Sequence, residues 1–281
     1  MIELAGVTYT YPDTERAVLH GLDLSITEGI VFGIVGASGV GKSTLAKVIS
    51  GFIPHSEGGE LEGAVTVAGI DVVKATLLDV VSKVGLVTQN PFNQITGARF
   101  SVEEEIAFGL ENLGIPRDEM IERVGAVIAR FGIQELRDRS PFALSGGQQQ
   151  LVAIASIVVM EPAILVMDEP TSQLDPSGTR LVFDIIDRVA EQGTTVVLLE
   201  HKLELLREHA QVVAVLAEGR IVLSGAPREV LADDRLDQWG VGSTRFTSAA
   251  RAAISAELAS ADSAIPVSLK EAVSYFSGGR R

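Results

Sequence analysis

The amino-acid sequence predicts an α/β fold whose centre is a parallel sheet buried on both faces. Short runs rich in Val, Ile and Leu recur along the chain, which is the pattern of such strands. At residues 30–50 an apolar run leads into a glycine-rich turn and a helix-like stretch. Around this core we expect an antiparallel β subdomain, an inserted α-helical subdomain and a small C-terminal extension.

Charge and composition exclude several classes of protein. The 281 residues contain 23 Lys and Arg against 37 Asp and Glu, so the net charge is −14. Such a chain has no overall electrostatic footprint for nucleic acid, and we expect no nucleic-acid partner. Cysteine is absent, which excludes disulfides, thiolate metal sites and cysteine nucleophiles. No apolar run approaches the ~18 residues of a membrane span and the first residues lack signal-peptide features, which predicts an intracellular protein.

The predicted elements follow one another along the chain. Strand-like alternation covers residues 2–9 and 18–27, with the turn signal Tyr11-Pro12-Asp13 between them. An apolar run at 30–35 is followed by a helix at about 41–50. Further strands are predicted at 64–68, 83–88, 163–167, 194–199, 212–217 and 220–223.

A helical subdomain is predicted at about residues 90–155, inserted into the α/β pattern. Ser101 and Glu104 form an S-x-x-E capping box before an apolar-periodic helix. Pro116 suits the first turn of a second helix. These signals replace the strand pattern over this part of the chain.

The pattern changes again after residue 225. Pro227 opens a short helix, and residues 242–262, rich in Ser, Ala and Thr, are predicted to be loosely packed. Ser268 and Glu271 form another capping box before a last helix. We therefore divide the chain into a core domain at 1–232 and a C-terminal extension at 233–281.

The first chemical motif is Gly36-Ala37-Ser38-Gly39-Val40-Gly41-Lys42-Ser43-Thr44, which matches G-x-x-x-x-G-K-[ST]. It follows an apolar strand and opens a helix, which is the context of a P-loop. Glycines let backbone N–H groups turn towards phosphate oxygens, and the helix N-terminus adds partial positive charge. Lys42 can reach the β- and γ-phosphates, and the Ser43 hydroxyl can ligate Mg²⁺. The motif predicts ATP bound with Mg²⁺.

The second motif is the apolar run Ala163-Ile164-Leu165-Val166-Met167 followed by Asp168 and Glu169. It brings two carboxylates to the C-terminal end of a strand, where open α/β sheets bind ligands. Asp168 suits the Mg²⁺ shell, and Glu169 could polarise an attacking water. Alone, two acids after an apolar run often mark only a strand that meets solvent; beside a P-loop they predict a hydrolytic site.

The third motif is Leu144-Ser145-Gly146-Gly147-Gln148, at the start of an otherwise apolar helix. Backbone N–H groups, a hydroxyl and a helix N-terminus form a second element that can contact phosphate. One γ-phosphate does not need two such elements from one chain. The motif therefore predicts two chains that face each other, each completing the other's site.

The order of these three motifs resembles that of ABC ATPase domains, over about residues 2–232. The resemblance implies a P-loop NTPase fold and a head-to-tail dimer that holds two ATP molecules. It also implies a role in hydrolysis for Glu169, His201, Gln89 and Lys42, and metal contacts from Ser43, Gln89 and Asp168. The nucleotide-binding residues that it implies are Tyr11, Gly36, Ala37, Ser38, Gly39, Val40, Gly41, Lys42, Ser43, Thr44, Ser145, Gly146, Gly147, Gln148 and Asp175.

Four of these positions depend on the resemblance more than on their own chemistry. Tyr11 resembles the aromatic that stacks on adenine, although a strand or turn tyrosine of the core would look the same. Gln89 resembles the Q-loop glutamine and His201 the switch histidine at the γ-phosphate. Alone, each could be an ordinary exposed or core residue. Asp175, in Ser172-Gln173-Leu174-Asp175, resembles the D-loop residue that crosses the dimer interface.

Three stretches resemble a narrower group, the ATPase subunits of energy-coupling factor (ECF) transporters, which import vitamins and transition-metal ions. They are Gln89-Asn90-Pro91-Phe92-Asn93-Gln94-Ile95-Thr96-Gly97, Ser101-Val102-Glu103-Glu104-Glu105-Ile106-Ala107-Phe108-Gly109-Leu110-Glu111-Asn112 and Glu200-His201-Lys202-Leu203-Glu204. The implied partners are a second ATPase domain, a transmembrane scaffold subunit with coupling helices and a separate membrane protein that captures the substrate. The implied location is peripheral, on the cytoplasmic face of the membrane.

Residues near Gln94 are implied to line the groove that receives a coupling helix. Phe92 and Ile95 are apolar residues in a polar loop, so they either contact that partner or tuck inward. Leu151 is a departure, because the family usually has arginine there. Together with a single ATPase domain, this departure favours pairing with a non-identical partner over a homodimer.

Two other functions compete with an importer. One is a soluble ABC ATPase of DNA repair, chromosome structure or translation, but such proteins usually carry coiled coils, zinc modules or two ATPase domains. The other is a scaffold that binds ATP without hydrolysing it. Glu169 and His201 are intact, which argues against the scaffold.

Overall fold

Ten β-strands form two sheets in the computed structural model, which describes residues 1–260 and 263–277. An antiparallel sheet has the order β2-β1-β4-β5, and a six-stranded sheet has the order β10-β9-β3-β8-β7-β6. All neighbours in the larger sheet are parallel except β10, which pairs antiparallel with β9. The strands are β1 (Ile2–Thr10), β2 (Leu19–Ile26), β3 (Val31–Val35), β4 (Glu60–Val67), β5 (Ile70–Asp71), β6 (Val84–Val87), β7 (Ile164–Asp168), β8 (Thr195–Leu199), β9 (Val212–Ala217) and β10 (Arg220–Gly225).

Helices cover the parallel sheet and form the inserted helical subdomain. Short 3-10 turns lie at Pro91–Asn93, Gln134–Leu136, Pro141–Ala143 and Asp234–Trp239. None of the described helices is both long and apolar enough to cross a membrane. The helices are α1 (Lys42–Ile49), α2 (Phe52–His55), α3 (Leu77–Val81), α4 (Val102–Asn112), α5 (Arg117–Phe131), α6 (Gly146–Val158), α7 (Pro176–Glu191), α8 (Leu203–His209), α9 (Pro227–Ala232), α10 (Arg245–Ser255) and α11 (Leu269–Ser277).

The parallel strands are buried on both faces, as their apolar runs predict. Every residue of β3, β7 and β8 is buried. Within β7, Leu165 and Met167 belong to one apolar cluster, whereas Ile164 and Val166 belong to the other. The first cluster includes the helical subdomain and the second includes the antiparallel sheet. The parallel sheet is therefore the layer on which both subdomains are built.

The predicted functional residues follow the carboxyl ends of four parallel strands. β3 leads directly into the P-loop, and β7 ends at Asp168. Gln89 follows β6 by two residues, and His201 follows β8 by two residues. Because β3, β8, β7 and β6 are neighbours in that order, these residues emerge at one edge of the sheet.

The helical subdomain starts with a cap that differs slightly from the prediction. Ser101 accepts a hydrogen bond from the backbone N–H of Glu104 at 3.2 Å, as in a capping box. The Glu104 carboxylate accepts from the N–H of Phe100 at 3.0 Å, one residue before the expected partner. Pro116 is the residue before α5 rather than part of its first turn. Both helices nevertheless form where the sequence predicts them.

The prediction that residues 242–262 are loosely packed is wrong for the stretch that forms α10, whereas the described residues that follow this helix are mostly exposed. Helix α10 forms there, and Thr244, Thr247 and Ala250 are fully buried. The Thr247 hydroxyl donates to the carbonyl of Pro266 at 2.9 Å, because small side chains let the two segments approach closely. Residues 261–262, within the same range, lie outside the described residues.

The last helix begins near the predicted cap. Ser268 accepts from the backbone N–H of Glu271 at 3.3 Å, while the Glu271 carboxylate accepts from Val267 rather than from Ser268. Glu271 also contacts Arg207 of α8 at 3.0 Å, which ties this helix to the core. Residues 278–281 of the predicted extension lie outside the described residues.

The C-terminal extension also touches the phosphate loop. Gly240 ends the 3-10 turn Asp234–Trp239 with a φ of 68°. A Cβ atom placed on Gly240 would lie 3.2 Å from the Cβ atom of Ala37. The extension therefore packs directly against a residue of the first chemical motif.

Candidate active site

The P-loop adopts a shape that requires glycine at its first position. A Cβ atom on Gly36 would lie 2.3 Å from the carbonyl oxygen of Leu216 and 2.9 Å from Val40. Gly41 has a φ of 106° and directly precedes α1. No acidic residue occupies the first turn of α1, so its N-terminus keeps its partial positive charge. The loop is thus a site for phosphate.

Lys42 folds back into this loop. Its Nζ donates hydrogen bonds to the carbonyl oxygens of Gly36 at 2.9 Å and Ala37 at 3.0 Å. Burial lowers the pKa of Lys42, and the negative charges of Glu169 and Asp168 oppose that shift. A buried cation held beside the loop is suited to stabilise phosphate charge.

Asp168 lies buried at the end of β7. Burial raises the pKa of this carboxyl, and a hydrogen bond from the Ser43 hydroxyl opposes the shift. The repulsion from Glu169 raises the pKa further, while Lys42 and His201 lower it. A carboxylate and a hydroxyl thus meet beside the P-loop.

This pair of groups suits Mg²⁺ that arrives with a nucleotide. Among the described residues there is no group of three His, Cys, Asp or Glu that could hold a metal alone. Mg²⁺ is commonly bound through one or two carboxylates together with substrate phosphates and water. Ser43 and Asp168 fit that role, and Gln89 lines the same cavity as Ser43. When bound, the ion would neutralise charge that develops on the phosphoryl oxygens.

Glu169 is held from both sides. Its Oε2 accepts from the Gln89 side-chain amide at 2.7 Å, and its Oε1 lies 2.5 Å from Nε2 of His201. Its backbone has a φ of 48°, a left-handed conformation that is uncommon for residues other than glycine. Strain of this kind clusters at functional sites.

Most of the predicted residues share one cavity of about 410 Å³. The Tyr11 hydroxyl lies 3.0 Å from Oγ1 of Thr44, and the Tyr11 ring packs edge-on against Tyr9. The sequence alone did not indicate Val18, an apolar residue that lines the cavity and belongs to no motif. The residues that line the cavity are Tyr11, Val18, Ser38, Gly39, Gly41, Lys42, Ser43, Thr44, Gln89, Glu169 and His201.

The third motif, residues 144–148, is called the signature loop below, and it lies outside that cavity lining. Ser145 and Gln148 form a complete capping box at the start of α6. A Cβ atom on Gly146 would lie 3.1 Å from Oε1 of Gln173, so the signature loop packs against the predicted D-loop. Asp175 caps α7 by accepting from the N–H of Gly178 at 2.7 Å. These residues stabilise their own helices and do not meet the P-loop of the same chain.

The loop after Gln89 divides its side chains between core and solvent. Gln94 accepts from the N–H of Thr88 at 3.0 Å and donates to the carbonyl of Leu86 at 2.8 Å, so its amide extends β6. Ile95 is buried, whereas Phe92 is exposed. Of the three residues considered for a partner groove, Phe92 is the one whose side chain is presented to solvent.

Fold and site together define a P-loop hydrolase of nucleoside triphosphates. A family model described as "ABC transporter" matches residues 19–172, more than half of the chain. The chain belongs to this family of ATP-hydrolysing transporter subunits, which confirms the predicted fold class and ATPase activity.

Curated relatives support the assignment. The chain is 43% identical over 231 residues to a putative ABC transporter ATP-binding protein of Pyrococcus horikoshii, covering 82% of this chain and 81% of that protein. It is 40% identical over 232 residues to the energy-coupling factor transporter ATP-binding protein EcfA1 of Lacticaseibacillus paracasei, covering 82% and 80%. Other relatives are longer, and the chain spans only 41% of one from Methanosarcina acetivorans.

Solved structures agree with the fold. One is cbiO1 from Clostridium perfringens, described as part of the ABC transporter complex cbiONQ, with 32% identity, a TM-score of 0.72 and coverage of 84% of this chain and 92% of that one. Another is a dimeric, post-hydrolysis ATP-binding cassette bound to ADP and Pi, with 26% identity, a TM-score of 0.70 and coverage of 81% and 99%.

Proposed function

We propose that the chain is the ATPase subunit of an ECF-type importer that takes up a vitamin or a transition-metal ion. The observation that carries the proposal is the exposed aromatic surface near Gln89, on the subdomain that contains most of two of the three ECF-like sequence stretches. The similarity to EcfA1 and to cbiO1 supports the same group of transporters.

The proposed active unit is a head-to-tail dimer of ATPase domains. The P-loop cavity is lined by Lys42, Ser43 and Glu169, which suit phosphate, metal and water, but the signature loop of the same chain lies elsewhere. Ser145 and the backbone of Gly146 would therefore act on ATP bound to the other domain. The dimeric cassette with ADP and Pi is a precedent among similar structures.

Within that dimer each residue has a proposed role in phosphoryl transfer. Glu169 would orient water for in-line attack, because its carboxylate is positioned between Gln89 and His201. Lys42 and the partner's signature loop would stabilise charge on the transferring phosphoryl group, the dominant contribution in this chemistry. His201 would contact the γ-phosphate, and Tyr11 would stack on adenine.

The proposed surface for the transmembrane scaffold subunit contains three phenylalanines. Phe92, Phe100 and Phe142 are 59%, 89% and 55% exposed. The Phe142 ring lies close to Gly97. The backbone N–H and the hydroxyl of Thr96 donate hydrogen bonds of 2.7 and 2.9 Å to the carboxylate of the buried Glu105. Exposed aromatic side chains mark interaction sites, and a coupling helix with an apolar face would fit a surface that presents them. The chain would thereby lie on the cytoplasmic face of the membrane.

The C-terminal extension is proposed to stabilise the ATPase dimer. Leu269, Val273 and Phe276 are exposed and follow the i, i+4, i+7 spacing of one helix face. An apolar stripe of this kind suits contact with a second ATPase domain. We favour a non-identical second ATPase, since Leu151 occupies the position where the family usually has arginine.

Affinity purification from the native host tests the importer. The tagged chain would be solubilised with its membranes in mild detergent, and co-purifying proteins would be identified. We expect a stoichiometric scaffold subunit, a substrate-capture protein and a second ATPase. Recovery in the soluble fraction with ribosomal or DNA-repair proteins would refute the importer and leave the ATPase activity intact.

A double variant and a control variant make this test specific to the proposed phenylalanine surface. Phe92→Ser together with Phe142→Ser should abolish recovery of the scaffold subunit while ATP binding stays within about twofold. The matched control is Leu78→Ser, which changes an exposed apolar residue on α3. If the double variant recovers as much scaffold subunit as Leu78→Ser does, the phenylalanine surface is not the contact with that subunit.

A further inference from the structure

A cluster of polar side chains behind the catalytic residues joins two loops. Thr171 lies two residues after Glu169, and its Oγ1 donates a hydrogen bond of 2.7 Å to Oε1 of Glu200. The other oxygen of Glu200 accepts from the backbone N–H of His201 at 3.1 Å. Glu200 therefore connects the loop after β7 to the loop after β8.

Lys202 fixes the orientation of Thr171. Its Nζ donates to the Thr171 carbonyl at 3.1 Å and to Oγ1 at 2.8 Å. Because Oγ1 accepts from the ammonium group, its own proton is directed at Glu200. The three side chains thus form one ordered series of hydrogen bonds.

Burial makes these bonds hard to replace. Thr171 is 1% exposed and Glu200 is 3% exposed. A carboxylate removed from water needs hydrogen-bond donors, and Glu200 accepts from the Thr171 hydroxyl and from the N–H of His201. Without the hydroxyl, Oε1 would lose its donor, and Glu200 would reorient together with the backbone that it holds.

The same cluster connects to the signature loop. The Thr171 carbonyl accepts from the N–H of Leu174 at 3.3 Å. A Cβ atom on Gly147 would lie 3.4 Å from Cδ2 of Leu174. A continuous series of contacts therefore runs from the signature loop through Thr171 and Glu200 to His201.

We infer that Thr171 and Glu200 are positioning residues for ATP hydrolysis, which hold His201 against Glu169 in a geometry that depends on the D-loop. Lys202 supports them by orienting Thr171. The cluster lies behind the cavity and is absent from its lining, so it acts through His201. The inference rests on the proposed roles of Glu169 and His201.

Kinetics of the ATPase dimer that contains this chain provide the first test. Thr171→Val keeps the shape of the side chain and removes the hydroxyl, whereas Thr171→Ser keeps the hydroxyl. We expect Thr171→Val to lower kcat about tenfold while KM for ATP and nucleotide affinity stay within about twofold. Thr171→Ser should recover at least about a third of the wild-type kcat.

The matched control is Thr195→Val. Thr195 is equally buried on β8, and its Oγ1 accepts from the N–H of Gly29 at 3.0 Å, at the other end of the strand. This variant should lower thermal stability about as much as Thr171→Val does and leave kcat unchanged. Equal kcat for Thr171→Val and Thr195→Val would overturn the inference, as would a Thr171→Ser variant no better than Thr171→Val.

Histidine NMR provides a readout that a merely structural role would not change. The chain has four histidines, so the imidazole signals of His201 can be assigned from their loss in His201→Ala. Thr171→Val should shift those signals, and Thr195→Val should not. Unshifted His201 signals in Thr171→Val would refute the positioning role. If His201→Ala hydrolyses ATP like the wild type, the proposed role of His201 fails instead.

Discussion

The Nε2 atom of His201 lies 2.5 Å from Oε1 of Glu169, although the two residues follow different strands. The contact exists because β7 and β8 are adjacent and parallel, so both loops leave the sheet at one edge. The backbone of Glu169 is supported separately, by a hydrogen bond from its N–H to the carbonyl of Leu199 at 2.9 Å. The geometry at this carboxylate is the basis of the first prediction.

Glu169→Gln should separate ATP binding from hydrolysis. The amide keeps the size of the side chain but cannot act as a base, so we expect hydrolysis to fall about 100-fold or more. ATP affinity should stay within about twofold, and ATP should trap a closed dimer visible by size-exclusion chromatography. The matched control is Glu161→Gln, because Glu161 also has a positive φ, of 51°, yet lies outside the cavity. Equal hydrolysis by Glu169→Gln and wild type would refute the assignment.

Gly36→Ala should disrupt the phosphate loop. The new methyl group would meet the backbone carbonyl of Leu216, which cannot move cheaply. We expect nucleotide affinity to fall more than about tenfold and the free energy of unfolding to fall by about 1–3 kcal/mol. Gly125→Ala is the control, since a methyl group on Gly125 of α5 would have no atom within 4 Å, and alanine there should be neutral or stabilising. Nucleotide titration and urea unfolding measure both effects.

Asp168→Asn should stabilise the nucleotide-free chain while abolishing Mg²⁺-dependent hydrolysis. Burial raises the pKa of Asp168, so its ionised form costs stability at neutral pH. Asparagine removes that cost, and we expect Tm to rise by about 2 °C. The gain should vanish as the pH falls through the raised pKa, because Asp168 is then protonated and uncharged. A Tm that stays equal to or below that of the wild type at neutral pH would contradict this account.

Gln94→Ala should destabilise the loop after β6, which contains both Gln89 and Gln94. The substitution leaves the N–H of Thr88 and the carbonyl of Leu86 without the partner that they have now. We expect a loss of about 1–3 kcal/mol in the free energy of unfolding and slower hydrolysis, since Gln89 lies on the same loop. Gln134→Ala, at an exposed position, is the control and should change neither. Urea unfolding and hydrolysis assays measure these two effects. Equal values for Gln94→Ala and Gln134→Ala would show that the Gln94 amide does not support the loop.

Much of the core could be predicted because its elements are encoded by patterns within short stretches of the sequence. The P-loop, the strand that ends at Asp168 and the helix after Ser145 each combine a periodic pattern with a motif. The four strand ends then meet at one edge through the rules of parallel sheets. The fold class and the ATPase activity are accordingly confirmed.

Other features depend on contacts between distant segments. The role of Gln94 depends on the backbone of β6, and the bond from Thr171 to Glu200 joins residues 29 positions apart. The packing of α10 depends on small residues, and from composition alone such residues predict a loosely packed segment. Tertiary contact, rather than local pattern, decides each of these cases.

Because the backbone of Glu169 is left-handed, substitutions that increase thermal stability at this position would decrease the rate of ATP hydrolysis. Residues in that conformation carry a cost of about 1–3 kcal/mol that glycine avoids and asparagine reduces. A library of variants screened only for surviving high temperature would enrich glycine or asparagine at this position. The survivors would keep the sheet and lose the carboxylate that Gln89 and His201 hold.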